Sequence, residues 1–418
     1  MLSRWFRRRQ GAGFGDRRGG ASVLSLAGLG TAGLPARAGR GLDRFDRPLA
    51  MVVAALILIG VVMVYSASIS LADSPRYNVS PTHFLTRHLA ALAAALVAAA
   101  AALSVPLATW QRFAPLLFLG CLLLLVAVLI PGVGKGALGA RRWISLGFFN
   151  LQPSELMKLA CVLYAADFTV RKQDHMHRFW KGFGPLGLAM LMIAVLVGRQ
   201  PDLGAALMLM VIGMGILFLG GLSLRLCIAV AIIGIAGLVA VILHGAAFRL
   251  ERIEAYIDPF APQHAYAKGY QLTHSLIAFG RGEWFGVGLG GSVEKLHYLT
   301  EAHTDFILAV IGEELGLVGV LTVIVLFYWL VKRAFEIGRQ AVALERTFAG
   351  LVAQGIGLWI GVQAFVNMGV ATGLLPTKGL TLPFMSYGGS ALVATVAAIG
   401  VLLRVDLENR ELMRGGRA

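Results

Sequence analysis

Three ionisable side chains cluster just before an apolar segment. Glu301, His303 and Asp305 alternate with small residues, and Phe306 opens a hydrophobic run long enough to cross a membrane. A carboxylate between water and hydrocarbon is costly unless it performs chemistry or pairs with another charge. The position therefore marks Asp305 as the residue of this cluster with the strongest case for a chemical role. The alternative is a polar cap, in which Asp305 interacts with the positive end of the helix dipole.

Basic residues elsewhere in the chain could complement an anionic substrate. Arg141 and Arg142 precede Trp143 in a glycine-containing loop, Lys158 lies in the first turns of a later apolar segment, and Lys378 lies between two others. Cationic groups that converge would bind phosphate or pyrophosphate. Contacts with lipid headgroups explain each cation equally well. Trp143 is also typical of the aromatic belt at a membrane interface.

The composition indicates an integral membrane protein. Hydrophobic residues make up 57% of the 418-residue chain, charged residues make up 14%, and the mean hydropathy is +0.75. A run of about 20 apolar residues crosses a bilayer as a helix. The sequence therefore predicts an all-α polytopic protein with ten transmembrane helices. These lie near 48–70, 88–105, 113–131, 153–170, 183–199, 201–221, 223–244, 306–331, 347–372 and 385–404.

The basic residues predict the orientation of the chain. Lys and Arg concentrate near the N-terminus, at 171–181, at 332–346 and after residue 403. Positively charged loops stay in the cytoplasm, so both termini are predicted to be cytoplasmic and the large loop 245–304, between spans seven and eight, to be periplasmic. Because the basic residues lie at span ends, anionic lipid explains the net charge of +15 better than nucleic acid does.

Three parts of the chain are predicted. Residues 1–47 contain ten arginines among many Gly and Ala, which is typical of a disordered cytoplasmic tail. Residues 48–405 form the membrane domain, and 406–418 a cytoplasmic C-terminal tail. Within the large loop, the helical spacing of apolar residues through 270–277 predicts short amphipathic helices on the membrane surface. The three cysteines lie in apolar runs without metal-ligand spacing, which predicts free thiols.

Further polar motifs have structural explanations. Gly286–Gly291 fits the pattern GxGxxG but follows no predicted strand, so a close-packed or flexible glycine turn is favoured over a dinucleotide site. Asp202 precedes the sixth span and is predicted to cap it, although it could be a functional carboxylate. Glu313 and Glu314 lie about two turns inside the eighth span. We expect them to pair with a partner helix or to line a polar cavity.

Several motifs resemble those of the SEDS family (shape, elongation, division and sporulation). The resemblance covers about residues 48–405. The segment 376–383 and the basic tail favour the division branch over the elongation branch. The chain departs from the usual residues of the family at Leu138, Asn150, His274 and Thr300, and none of these departures affects Asp305. The motifs are Ala140–Ile144, Gln152–Leu159, Gln200–Gly204, Glu301–Phe306 and Pro383–Ser390.

The resemblance implies a peptidoglycan glycosyltransferase of the bacterial inner membrane. Its substrate would be lipid II, an undecaprenyl-pyrophosphate-linked disaccharide pentapeptide, and its partners a class B penicillin-binding protein and other divisome membrane proteins at the septum. Asp305 matches the family's essential acid. The residues expected to contact substrate are Arg141, Arg142, Trp143, Glu155, Lys158, Gln271, Ser275, Glu301, His303, Thr304, Lys378 and Ser386.

The implied reaction assigns a role to each kind of residue. Forming a β-1,4 bond with inversion requires a base, for which Asp305 is the candidate. The base takes the proton of the acceptor 4-hydroxyl as that hydroxyl attacks the anomeric carbon of the donor. The departing pyrophosphate requires cations, supplied by Arg142 and Lys158 or by a divalent metal such as Mg²⁺ or Mn²⁺. No nucleotide cofactor is required. The alternatives are a lipid II flippase, which needs no base, and a non-enzymatic division scaffold.

Overall fold

The computed structural model describes residues 46–73, 79–137, 140–145, 147, 149–175, 179–243, 254–267 and 269–415. Most of the predicted basic tail, part of the large loop and Leu138 lie outside these ranges. The helices are α1 (Arg47–Ser68), α2 (His83–Ser104), α3 (Leu107–Leu129), α4 (Pro153–Arg171), α5 (Gly184–Gly198), α6 (Leu203–Leu219), α7 (Leu224–Leu243), α8 (Pro262–Ala265), α9 (Tyr270–Gly282), α10 (Ile307–Ala343), α11 (Thr347–Ala371) and α12 (Gly389–Met413).

The helices confirm the prediction of an all-α polytopic membrane protein. Among the described residues, α1, α2, α3, α5 with the turn before it, α10, α11 and α12 are long and apolar enough to cross a bilayer, whereas α6 and the first part of α7 are shorter apolar helices. The remaining predicted span coincides with α4, whose 19 residues include Glu155, Lys158 and Asp167. Each predicted span therefore coincides with a helix. The count of ten spans remains a prediction.

Two helices form the centre of the bundle. In the most apolar 18-residue stretch of each helix, 67% of the residues are buried in α11 and 61% in α12, compared with 17% in α2. Helix α12 packs against α2, α4, α10 and α11. It also continues past the predicted boundary at residue 405 to Met413, with Asp406, Glu408 and Asn409 buried near its end. Side chains at this centre can therefore hold several helices in register.

Two helix starts agree with the sequence. Helix α4 begins at Pro153 with Glu155 in its first turn, as expected because proline at the first position loses no helical hydrogen bond. Asp202 caps α6, and its Oδ1 accepts the N–H of Ala205 at 3.1 Å. The capping prediction is confirmed, and it fixes the turn between α5 and α6.

A small antiparallel sheet lies between α3 and α4. Its strands β1 (Gly134–Ala137), β2 (Ala140–Ser145) and β3 (Asn150–Leu151) pair in chain order. The sequence predicted a glycine-containing loop around Arg141, Arg142 and Trp143 and no strands. Neighbouring side chains of a strand point to opposite faces, so Arg141 is exposed while Arg142 is partly buried. The sheet therefore turns one of two adjacent arginines inward.

Helix α10 is broken at Gly316, where φ is +65°. Before the break, two helix carbonyls accept the N–H groups of Val287 (2.9 Å) and Gly288 (3.0 Å) from the large loop. After it, Leu317 and Val318 donate to loop carbonyls at 2.9 and 3.2 Å. The glycine-rich motif is thus a close-packed turn that completes the hydrogen bonding of a broken helix, as such turns must at membrane depth.

The two glutamates before the break are buried and paired. The Glu314 carboxylate accepts hydrogen bonds from Ser66 of α1 and from Lys295 of the large loop, both at 2.7 Å. Glu313 is 3.0 Å from Arg281 and accepts the N–H of Val293 at 2.9 Å. The predicted structural pairing is confirmed, with the large loop as the main partner. Both glutamates therefore fasten that loop to the helices.

Candidate functional site

Asp305 lies just ahead of α10 and is partly buried. The helix begins at Ile307 with Phe306 as its cap residue and no capping bond from a side chain. Asp305 therefore precedes the cap position, and no side-chain hydrogen bond caps α10. Its carbonyl oxygen accepts a hydrogen bond of 2.8 Å from the Nδ2 of Asn367, which belongs to α11. The carboxylate is thus held by its main chain and is left for another role.

The surroundings of Asp305 make it a suitable base. Burial, with the negative charges of Glu301 and Asp202, raises the pKa of Asp305 to about 7 against the opposing positive charge of Arg142. A general base works best when its pKa lies near the operating pH. Strongly shifted carboxyl groups beside charged partners are also enriched at functional sites.

Arg142 connects the small sheet to this site. Its guanidinium donates to the carbonyl of Gln200 at 3.2 Å and to that of Pro201, and its Nε is 4.0 Å from the Asp202 carboxylate. The side chain remains a quarter exposed. Arg142 and Asp202 both act electrostatically on Asp305, so both lie at the candidate site, and Asp202 does so besides capping α6.

Glu301, His303 and Thr304 form the turn that presents Asp305. Thr304 donates from Oγ1 to the Glu301 carboxylate at 2.8 Å, which holds Glu301 in a left-handed conformation at a φ of +59°. His303 is buried, and this lowers its pKa below the usual 6.5 although Glu301 opposes the shift. Its carbonyl accepts the N–H of Tyr387 at 2.9 Å. The imidazole is therefore neutral at neutral pH and packs among aromatic rings.

Gln271 and Ser275 of α9 hold neighbouring segments in place. Gln271 donates to the hydroxyl of Thr300 at 2.8 Å, and the buried Ser275 donates to the carbonyl of Ala371 at 2.7 Å. The two residues therefore join the large loop to the turn before Asp305 and to the end of α11. Both residues lie beside the candidate site, and their side chains form hydrogen bonds with other residues of the protein.

Glu155 and Lys158 form a buried pair away from the surface. The Lys158 ammonium is 2.7 Å from Glu155 and 2.9 Å from the carbonyl oxygen of Gln363, and it lies 5.8 Å from the Trp359 ring centre. Its side chain is fully buried. Lys158 is therefore paired within the protein in this structure, and its contact with substrate stays a prediction. The side-chain amide of Gln363 in turn donates from Nε2 to the main-chain carbonyl of Thr381 at 2.9 Å.

The remaining expected contacts lie around the segment between α11 and α12. Ser386 is buried and accepts the N–H of Leu382 at 2.8 Å within a turn. Lys378 is partly buried and precedes Gly379, where an added Cβ would lie 3.2 Å from Oδ2 of Asp305. This segment therefore passes directly beside the candidate base. On β2, Arg141 is exposed and Trp143 is partly buried.

The described residues do not form a ready metal site. Across the described ranges, no three His, Cys, Asp or Glu side chains gather closely enough to hold a metal ion. Mg²⁺ is usually held by one or two carboxylates together with water and substrate phosphates, so the divalent metal of the implied reaction stays a prediction. The three cysteines are free thiols, as predicted.

Two contacts of the site were not anticipated from the sequence. Asn367 holds the main chain of Asp305, and Lys295 pairs with Glu314 of α10. An amide inside an apolar span is itself a signal, because polar groups are costly in hydrocarbon. No such signal marks Lys295, because it lies in a polar loop whose docking depends on the fold.

The fold defines a polytopic membrane protein, and the candidate acid–base site lies just ahead of helix α10. The family model for FtsW, RodA and SpoVE, described as cell cycle protein, matches residues 47–411. The chain therefore belongs to this family, which is the SEDS family.

Sequence relatives share most of their length with this chain. It is 57% identical over 95% of its residues, and 86% of the relative, to a probable peptidoglycan glycosyltransferase FtsW of Burkholderia thailandensis. The identity is 55%, over 89% of this chain and 88% of the relative, for the protein of the same description from Polynucleobacter necessarius.

Solved structures share the fold. A chain from a peptidoglycan synthase complex, described as coordinating polymerization and crosslinking, superposes with a TM-score of 0.70 at 30% identity, covering 87% of this chain and 98% of that one. The rod shape determining protein RodA of Thermus thermophilus gives a TM-score of 0.62 at 30% identity, with 88% and 97% covered.

Proposed function

We propose that this chain is a peptidoglycan glycosyltransferase that polymerises lipid II into β-1,4-linked glycan strands during septal cell-wall synthesis. The observation that carries the proposal is Asp305, a partly buried carboxyl whose pKa is raised to about 7 beside Arg142. Family membership and the names of the relatives support the same activity.

Asp305 acts as the general base. Its carboxylate takes the proton of the acceptor 4-hydroxyl while the hydroxyl oxygen attacks the anomeric carbon of the donor. The bond from that carbon to the pyrophosphate oxygen breaks, with inversion, and lipid pyrophosphate leaves with the electron pair. The guanidinium of Arg142 lies close enough to stabilise negative charge on substrate at this end of the bundle. The energy comes from the donor, so no nucleotide is consumed.

The proposed topology places this chemistry outside the cytoplasm. Ten spans cross the inner membrane, both termini are cytoplasmic, and the loop 245–304 and Asp305 face the periplasm. The membrane domain spans 48–405, between a basic tail (1–47) and a C-terminal tail (406–418). The alternation of basic loops supports this orientation.

The proposed partner is a class B penicillin-binding protein at the division septum, together with other divisome membrane proteins. A similar chain has been solved within a peptidoglycan synthase complex, which supports a partnered enzyme. The FtsW relatives at 48–57% identity favour division over elongation, because the solved RodA structure is 30% identical.

The buried charges favour an enzyme over a lipid II flippase. A flippase requires a polar path for a charged headgroup through the bilayer. Glu155 pairs with Lys158, and Glu313 and Glu314 pair with loop residues. These charges are therefore occupied with structural contacts. A site at one end of the bundle is sufficient for glycosyl transfer.

The decisive experiment combines purified protein, its cognate penicillin-binding partner and fluorescent lipid II, with glycan ladders read on a gel. Native protein should give ladders, and Asp305→Asn should reduce them by about 10²- to 10⁴-fold, the range for loss of a general base. Asp258→Asn is the matched control, because Asp258 is exposed in the same loop. Ladders that persist in Asp305→Asn would refute the role of Asp305. Lipid II crossing liposomes without ladders would establish the flippase instead.

A further inference from the structure

Asn367 joins two chain segments that meet at the candidate base. It lies in α11 and is 2% exposed. Its Nδ2 donates to the carbonyl oxygen of Asp305 at 2.8 Å and to that of Leu380 at 2.6 Å. Both N–H bonds of a single amide therefore hold main chain, one on each side of the Asp305 carboxylate.

An amide suits this position better than other side chains. Asparagine supplies two N–H donors in a fixed plane, a hydroxyl supplies one, and a carboxylate supplies none. Removing a donor leaves a buried carbonyl unpaired, which is unfavourable. Any substitution that removes the two donors therefore releases Asp305 and Leu380 from a common anchor.

The segment anchored by Leu380 passes against the carboxylate itself. At Gly379, an added Cβ would lie 3.2 Å from Oδ2 of Asp305, which is tighter than ordinary van der Waals contact. The position of residues 378–380 therefore limits where the carboxylate can lie. Asn367 sets the distance between this segment and the main chain of Asp305.

We propose that Asn367 is a positioning residue for Asp305, fixing its main chain against residues 378–380 so that the carboxylate reaches the acceptor hydroxyl. This inference rests on the proposed glycosyltransferase activity. A displacement of about 1 Å in a reacting group can cost about 10²-fold in rate. Because Asn367 is directed at main chain, its loss should affect kcat far more than KM.

Asn409 offers a matched control at the other end of the molecule. It is also buried, and its Nδ2 donates to the carbonyl of Ile337 at 3.1 Å. The Oδ1 atoms of Asn367 and Asn409 both have no hydrogen-bond partner among the described residues. Asn367→Leu and Asn409→Leu therefore remove similar contacts from similar surroundings, and only the first contact holds Asp305.

The experiment measures lipid II polymerisation, with partner present, as kcat, KM and a pH–rate profile. Asn367→Leu should lower kcat by about 10²-fold with KM within about threefold of native, and should displace the acid limb of the profile. Asn409→Leu should keep native kcat and profile even where its thermal stability falls. Equal kcat in the two variants, or an unchanged kcat in Asn367→Leu, would overturn the inference.

A second pair of variants tests the position of the carboxylate without touching the amide. Gly379→Ala adds a Cβ against Oδ2 of Asp305, whereas at Gly388 the added Cβ would make ordinary contacts of 3.5 Å or more. Gly379→Ala should lower kcat and leave KM unchanged, while Gly388→Ala should retain native kcat. A native kcat in Gly379→Ala would count against the inference.

Hydrogen exchange separates this inference from the proposed function. If native protein with its partner makes no glycan, the proposed function fails, and amide exchange in residues 299–306 decides whether Asn367 holds this turn. Faster exchange there in Asn367→Leu than in Asn409→Leu would support the anchoring role. Equal exchange in both variants would refute it.

Discussion

The Lys295 ammonium lies 2.7 Å from a carboxylate oxygen of Glu314, and both side chains are almost completely buried. Lys295 belongs to the large loop, and Glu314 lies about two turns inside α10. The same ammonium donates to the carbonyl of Gly290 at 2.8 Å and to the hydroxyl of Ser66 at 2.9 Å. One lysine therefore joins the loop to α10 and α1.

Removing one member of this pair should destabilise the protein more than removing both. Lys295→Met leaves the Glu314 carboxylate buried without its cation, which costs roughly 3–5 kcal/mol. The double variant Lys295→Met/Glu314→Gln should recover most of that loss. Thermal unfolding in detergent measures all three variants as a double-mutant cycle. Additive losses would show that the two side chains do not stabilise one another.

The raised pKa of Asp305 predicts an acid limit to activity. The carboxylate is the active form of the base, and burial together with Glu301 raises its pKa to about 7. Glu301→Gln removes a negative charge and lowers this pKa, so the variant should stay active at lower pH than native protein. Initial polymerisation rates at a series of pH values test the shift. An acid limb that moves to higher pH would contradict the assignment.

Arg142→Gln should shift the acid limb of the pH–rate profile to higher pH, opposite to the effect of Glu301→Gln. The guanidinium lowers the pKa of Asp305 against the effects of burial and neighbouring carboxylates. Without it the carboxyl should remain protonated to higher pH, and the variant should need more alkaline solution to reach its maximum rate. The measurement is the pH at half-maximal initial rate. A variant that loses activity equally at all pH values would indicate that Arg142 acts only on substrate or on the fold.

The glycine turn that fills the break in α10 should tolerate alanine at one position but not at another. Gly286 and Gly290 both have a φ of +80°, so alanine strains the main chain similarly at each. At Gly286 the added Cβ would lie 2.2 Å from the carbonyl oxygen of Glu314, whereas at Gly290 it meets open space. Gly286→Ala should therefore lower thermal stability and yield far more than Gly290→Ala. Equal losses of stability and yield in the two variants would show that glycine is required at these positions only because of the positive φ.

Lys158→Met should act on folding more than on substrate affinity. The fully buried ammonium is bound by Glu155 and Gln363, and its removal leaves a buried carboxylate that costs roughly 3–5 kcal/mol. Glu155→Gln/Lys158→Met should fold better than the single variant. Thermal unfolding and KM for lipid II should be measured on each. A native melting temperature of Lys158→Met together with a raised KM for lipid II would support a substrate contact by Lys158.

The local features of this fold were predictable, because each depends on neighbours in the chain. Apolar length predicted a helix at every proposed span, including the one near 153–170, and residue chemistry predicted the capping by Asp202. The cost of charge at the edge of an apolar segment drew attention to Asp305, and the substrate roles of Asp305 and Arg142 stay predictions.

Long-range contacts were not predictable in the same way. Glu155 and Lys158 have the helical spacing of a pair, but only the packing of α11 against α4 shows that the pair is buried. The break at Gly316 has no signal in a sequence with many glycines, because it depends on the loop that completes its hydrogen bonds. The proximity of Asp202 to Asp305 was not predictable, because the two residues lie far apart along the chain.

The break in α10 also constrains how the chain enters the membrane. A helix interrupted at Gly316 exposes unpaired N–H and C=O groups, which hydrocarbon cannot satisfy. The loop residues that pair with them precede α10 in the chain and are therefore synthesised first. Partitioning of α10 into lipid must accordingly be coupled to docking of an already translated loop. Biogenesis of this span thus depends on an ordered assembly step between the loop and the helix.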